Sequence, residues 1–121
     1  MPVGLYRYLP FDEKLAQLNL DDQIGRKAAE ACFGQNFIAD SAVTFFWTVI
    51  PSRMEWRYDL AAHKVIAIDA GHVGQNLYLA CQSIDAGCCA VAAYDQSACD
   101  QLLGVDGEEE FTIYLAAAGK H

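Results

Sequence analysis

The spacing of apolar positions changes several times along the chain, and each change marks an element. Residues 3–9, VGLYRYL, alternate, with Leu5, Arg7 and Leu9 on one side and Tyr6 and Tyr8 on the other. This predicts a strand, which Pro10 ends. From Asp21 or Asp22, either able to cap a helix, apolar residues return at helical spacing. Ile24, Ala28, Ala31 and Cys32 share a face, and Gly34 is the stop after Phe33. Residues 37–41 read as a short turn or helix. Residues 42–50, AVTFFWTVI, are a near-continuous β-branched and aromatic run that suits a central strand, and Pro51 breaks it. MEWRYD follows as a loop or one helical turn.

The longest element is a helix over residues 61–86, which at 1.5 Å per residue would be about 39 Å long. Ile66, Ala70, Val73, Leu77, Ala80 and Ile84 recur at spacings of three and four and predict its buried stripe. Ile68, Leu79 and Cys81 lie elsewhere around it, so more than one face is expected to be covered. Gly71 and Gly74 fall on nearly one face, and a glycine inside a helix costs about 1 kcal/mol relative to alanine. The expected compensation is the close approach of another backbone or of a flat ligand.

The helix is expected to stop at Gly87 and feed a buried strand over residues 88–94. Residues 96–103 predict a short helix ended by Gly104, residues 106–110 an acidic turn, and residues 111–118, FTIYLAAA, a last strand. The order β-α-β-α-β-α-β describes an α+β (layered α/β) fold with a small sheet and a long central helix. No repeat or linker interrupts it, so residues 1–121 read as one unit.

Composition narrows the partners. Of the 121 residues, 54% are hydrophobic, enough for a sizeable core, and the net charge is −8. An acidic surface repels phosphate backbones and anionic headgroups, which argues against nucleic acid and membrane surfaces as partners. No segment has the length of a membrane span. Arg7, Asp12 and Glu13 interrupt any apolar run near Met1, so no cleavable leader is expected. The five cysteines contain no CxxC pair and lie mostly in apolar runs, as expected of reduced thiols in a cytoplasmic protein.

Sharp chemical motifs are sparse. Asp69, His72 and Asn76 share one side of the long helix, but one good ligand type does not make a metal site, and none is expected there or at His63 and His121. Adjacent Cys88 and Cys89 point to opposite faces of a strand and read as core residues. Glu108–Glu110 reads as a solvated turn, and no carboxylate pair is nominated for hydrolysis. Ala90, Ala92 and Ala93 leave the backbone open, so this strand end can offer N–H donors to a flat heterocycle such as a flavin. Close helix–sheet packing is the alternative reading of the same alanines.

Several ordered motifs resemble the nitroreductase superfamily, and within it the SagB-type dehydrogenases. These are GLYRY at 4–8 with the following DEKL and LDDQ segments (an opening strand and hairpin), FGQNFIADSAVTFFWT at 33–48 and RMEWRY at 53–58. DAGHVGQNLYLAC at 69–81 is the most specific match, and AGCCAVAAYD at 86–95, LLGVDGEEEF at 102–111 and AAAGK at 116–120 complete the series. The resemblance implies an FMN-dependent oxidoreductase that passes hydride from NAD(P)H, or from substrate, through the flavin. It implies an intertwined homodimer with flavin at the subunit interface. Backbone groups of Ala90, Ala92 and Ala93 would stand beside the flavin N5 edge, and Lys120 would help hold the phosphate.

Two departures from the family pattern bear on chemistry. The family's N-terminal helices, which carry its phosphate clamp, have no counterpart here, so the chain reads as a partial domain. A non-catalytic remnant, or a subunit that completes a flavin site with a second chain, is therefore the alternative function. Azoline-oxidising members carry Lys-Tyr where this chain has Arg57-Tyr58. An arginine stays protonated and cannot serve as general base. Tyr58 is left as the candidate catalytic proton donor, and packing beside Trp56 is its plainer role.

Overall fold

Strands β1 (Gly4–Leu9) and β2 (Lys14–Leu20) form an antiparallel hairpin in the computed structural model, which describes residues 1–120. Strand β2 was not separable by pattern. Leu15, Leu18 and Leu20 are all about half exposed, so the strand has no buried side to impose an alternation.

Helices α1 (Ile24–Ala31) and α2 (Asn36–Asp40) follow. Asp21 shapes the start of α1 by accepting the Gln23 amide at 2.9 Å and the Lys27 ammonium at 2.5 Å. Strand β3 (Val43–Val49) leads through Pro51 into α3 (Ser52–Tyr58), a full helix where the pattern gave a loop or single turn. A 3-10 turn over Asp59–Ala61 connects it to α4 (Ala62–Ser83). Strand β4 (Ala86–Val91), helix α5 (Gln96–Leu103) and strand β5 (Phe111–Lys120) complete the chain.

The second sheet has the order β3-β5-β4, antiparallel throughout, so β5 is central and β4 is an edge. Its two faces are covered by different helices. Leu115 and Ala117 of β5 and Val91 of β4 meet Ala28 and Cys32 from α1 and its C-cap, Ile38 of α2 and Cys99 of α5. On the other face, Ala118 and Ala86 meet Cys81 of α4, with Leu77 and Cys88 alongside. Ala116, Ala117 and Ala118 are buried, and their small side chains let helices come close on both sides.

The α4–β4 junction differs from expectation. The helix ends at Ser83, Asp85 turns the chain at φ 55°, and Gly87 lies inside β4. Aspartate tolerates the left-handed region, so this turn needed no glycine. The buried line of α4 also drifts: it runs through Ala62, Ile66, Gly74 and Cys81, while Val73 and Ile84 are exposed. Ile68 and Leu79 are exposed too, so within this chain the helix is covered on one side.

Candidate active site

The segment after β4 is held by three separate anchors. The Gln35 side-chain amide donates to the carbonyls of Cys32 and Ala93, each at 2.9 Å. Tyr94 donates its hydroxyl to the Thr112 carbonyl at 3.2 Å, and burial raises its phenol pKa, with smaller contributions from neighbouring Cys99 and Asp100. The Asp95 amide reaches the Ala31 carbonyl at 2.8 Å, and its carboxylate caps α5 at the Ala98 amide. Between these anchors, Ala92 and Ala93 are exposed, and their amides make no hydrogen bond among the described residues. Donors on a fixed loop with methyl-sized side chains are a preorganised edge for a flat, acceptor-bearing ligand.

Ala90 differs from its neighbours. It lies on edge strand β4, and its amide donates to the Tyr78 hydroxyl of α4 at 2.8 Å. The strand end is therefore open at Ala92 and Ala93 and covered at Ala90 by a side chain that sequence reasoning missed. Helical spacing places Tyr78 on α4 but carries no sign that it crosses to a strand beginning eight residues later.

Lys120 stands opposite Ala86 in the β4–β5 ladder, and its ammonium donates to the Ile84 carbonyl at the C-terminal end of α4. That is a favourable place for a cation, because the last helical carbonyls lack partners. Four residues of strand, about 13 Å, separate the Lys120 register from Ala90. Lys120 also lines a shallow groove of about 540 Å³ with Phe37, Asp40, Ser41, Cys89 and Gly119.

Tyr58 lies elsewhere. It is half-buried at the end of α3, with the Arg57 guanidinium 5.4 Å from its ring centroid. Trp56 is 79% exposed, so Arg57 is the close partner of this ring. The sixteen residues of α4 between Ala62 and Tyr78 correspond to about 24 Å. The chain therefore places Ala90 on β4, Ala92 and Ala93 just beyond it and Lys120 on the neighbouring strand β5 opposite Ala86, and holds Tyr58 at the other end of the long helix.

The remaining polar candidates form no site. Asp69, His72 and Asn76 are exposed, and His72 Nδ1 is 2.9 Å from the Ile68 carbonyl of its own helix. No group of three or more potential metal ligands occurs among the described residues. His121 lies outside them. Cys88 packs near Cys81, but Cys89 is exposed, because the two cysteines face opposite ways at a sheet edge. In the acidic turn, Asp106 accepts the amides of Glu108, Glu109 and Glu110, and these bonds, Glu110's first, lower its pKa. Glu110 is not simply solvated: it takes Arg7 at 2.8 Å and Thr48 at 2.5 Å. Burial pushes its pKa up, but those two bonds and the nearby charges of Arg7 and Arg53 hold it below the ordinary value.

Residues 6–120 match the sequence profile of the nitroreductase family. The chain belongs to that family. A provisionally named nitroreductase of Methanocaldococcus jannaschii is 26% identical over 117 residues, covering 97% of this chain and 57% of that protein. The chain thus spans about half the length of this relative. A provisionally named nitroreductase of Anabaena variabilis has the same fold, with a TM-score of 0.90 at 24% identity over 98% of this chain and 24% of the other. A provisionally named NAD(P)H:FMN oxidoreductase of Staphylococcus epidermidis superposes with a TM-score of 0.67 at 14% identity over 83% of this chain and 62% of its own. The nitroreductase-like α+β fold is therefore present. No helix among the described residues is long and apolar enough to cross a membrane.

The residues present fit the ring end of a flavin: exposed Ala92 and Ala93, with methyl side chains and amides that make no hydrogen bond among the described residues. Lys120, at the end of β5, is a cation on the neighbouring strand, and its ammonium donates to the Ile84 carbonyl.

Proposed function

We propose that this chain contributes the ring-binding half of an FMN-dependent oxidoreductase of the SagB type, working as a homodimer in the cytoplasm with NAD(P)H as electron donor. The observation that carries this reading is the pinned loop whose Ala92 and Ala93 amides have no partner among the described residues. FMN, when bound, supplies the hydride-accepting ring. The chain's part is to bind and orient it: Ala92 and Ala93 donate to its polar edge, with Ala90 beside them on β4, and Lys120 meets the phosphate. Tyr58 serves as proton donor and, given the length of α4, reaches a flavin held by the partner subunit.

The test is the visible absorption spectrum of the purified protein, before and after FMN addition and desalting. Retained flavin absorbance is expected, followed by oxidation of NADH or NADPH on addition of an acceptor. A colourless protein that also fails to take up FMN overturns this reading.

Exposed apolar side chains favour a second reading, in which another polypeptide completes the site. Phe11 and Leu60 are almost fully exposed, and on the β3 edge Val43 is 44% and Phe45 39% exposed. Surfaces of this kind mark association. Flavin retained only in the presence of a second chain would select this reading over the homodimer.

A further inference from the structure

We infer that Tyr78 is a positioning residue that occupies the ligand-binding edge of β4 and is exchanged for the ring when a flat, acceptor-bearing ligand binds. This rests on the reading that the β4 edge takes such a ligand. The geometry is a single contact with few alternatives. Ala90 lies on an edge strand, and its amide takes the Tyr78 hydroxyl oxygen at 2.8 Å. A backbone donor left without partner or water is costly, so the amide must always face some acceptor. The phenol provides one, and a ring nitrogen or carbonyl oxygen provides another of the same kind.

The phenol is suited to exchange. Tyr78 is 40% exposed, so it can swing outward without opening the core. Ala90 carries only a methyl group, so nothing on the strand blocks a ring from entering as the phenol leaves. The neighbouring Ala92 and Ala93 amides have no partner to exchange among the described residues. The edge therefore contains two donors ready for a ligand and one held in reserve. A ligand whose edge presents acceptors can make the exchange at Ala90. One whose edge presents only donors would leave both the amide and itself unpaired, so the contact selects for acceptor edges.

The experiment compares the wild-type protein, Tyr78→Phe and Tyr8→Phe, the last removing an exposed hydroxyl on the hairpin as a control. Amide hydrogen exchange at Ala90 is followed by NMR, and FMN affinity by fluorescence titration. Tyr78→Phe is expected to speed Ala90 exchange without ligand and to tighten FMN binding about fivefold, the size of one net hydrogen bond no longer lost on binding. Tyr8→Phe should change neither. FMN binding by Tyr78→Phe but not by wild type would support the exchange most strongly. Unchanged or weaker FMN binding by Tyr78→Phe, beside a wild type that binds, overturns the exchange and leaves the proposed function standing. Failure of both proteins to bind FMN overturns the function and the exchange together.

Discussion

The ring of Tyr114 on β5 fills the space where a side chain on Gly74 of α4 would begin: a Cβ built there stands 2.9 Å from Tyr114 Cε2. This contact lets the long helix lie against the central strand. Gly74→Leu should drive the two apart and lower stability by about 1–3 kcal/mol, the usual penalty for overfilling a packed site. Thermal denaturation checks it, and an unchanged melting temperature would show that Tyr114 moves aside freely.

Gly71, one turn earlier, behaves differently. A Cβ there meets nothing within 4 Å. Gly71→Ala should therefore stabilise the isolated chain by about 1 kcal/mol through helix propensity alone. In the proposed homodimer, the natural reason for a glycine at this exposed position is a close neighbour from the second copy. The expected result is a higher melting temperature at low protein concentration together with weaker self-association by sedimentation. A variant that melts lower at every concentration would mean that the helix face is already occupied within one chain.

The sequence pattern located most elements because helices pack on both faces of the second sheet and its strands carry long apolar runs. It failed where burial contrast is missing or where one residue replaces another's geometric role. The half-exposed leucines of β2 show no alternation, and Asp85 rather than Gly87 makes the left-handed turn. For the site, the alanines at 90, 92 and 93 were legible as an open stretch. The difference among them was not, since the Tyr78 contact and the Gln35 anchor join residues 12 and 58 positions apart. Pairings over such distances are set by how helices dock on the sheet, and local periodicity contains no record of them.

Gln35 is the anchor most open to test. Its side-chain amide spends both hydrogens, one on Cys32 and one on Ala93. Gln35→Ala should cost about 1 kcal/mol of stability and release the loop after β4. Amide exchange at Ala92 and Ala93 should accelerate and FMN affinity should fall several-fold while the circular dichroism spectrum stays the same. Unaltered affinity with a loosened loop would remove preorganisation from the account of binding.

Glu110 links the hairpin to the sheet through Arg7 of β1 and Thr48 of β3. Its folded-state pKa lies below the ordinary value of 4.5. A depressed carboxylate contributes stability that is complete above its unfolded-state pKa and is lost as pH falls through the folded-state value. Glu110→Gln should therefore melt lower than wild type at pH 7, by about 1 kcal/mol because Arg7 is half-exposed. The two proteins should converge as the pH falls through the folded-state pKa of Glu110 and its carboxylate takes up a proton. Asp21 and Asp106 are depressed as well, so both proteins lose stability on that acid limb. Parallel curves with no convergence would show that the Glu110 charge does not hold the hairpin.

Thiol reactivity separates the five cysteines by environment. Cys89 is exposed at the β4 edge, whereas Cys32 and Cys99 are fully buried. Burial above all, then neighbouring Cys32 and Asp100, pushes the Cys99 thiol up to about 12, and burial raises Cys32 too. Only the thiolate attacks a disulfide reagent, so neither reacts in the folded protein near neutral pH. Cys88 is half-buried, and its pKa is raised first by burial and then by Cys81, which makes it slow. An aromatic disulfide reagent should therefore show one fast thiol per chain, absent in Cys89→Ser, with the others released on unfolding. Because Cys89 lines the groove beside Lys120, FMN should also slow that fast phase if its phosphate settles there. A Cys89 rate indifferent to saturating FMN would move the phosphate away from Lys120 while leaving the ring site on the alanine loop intact.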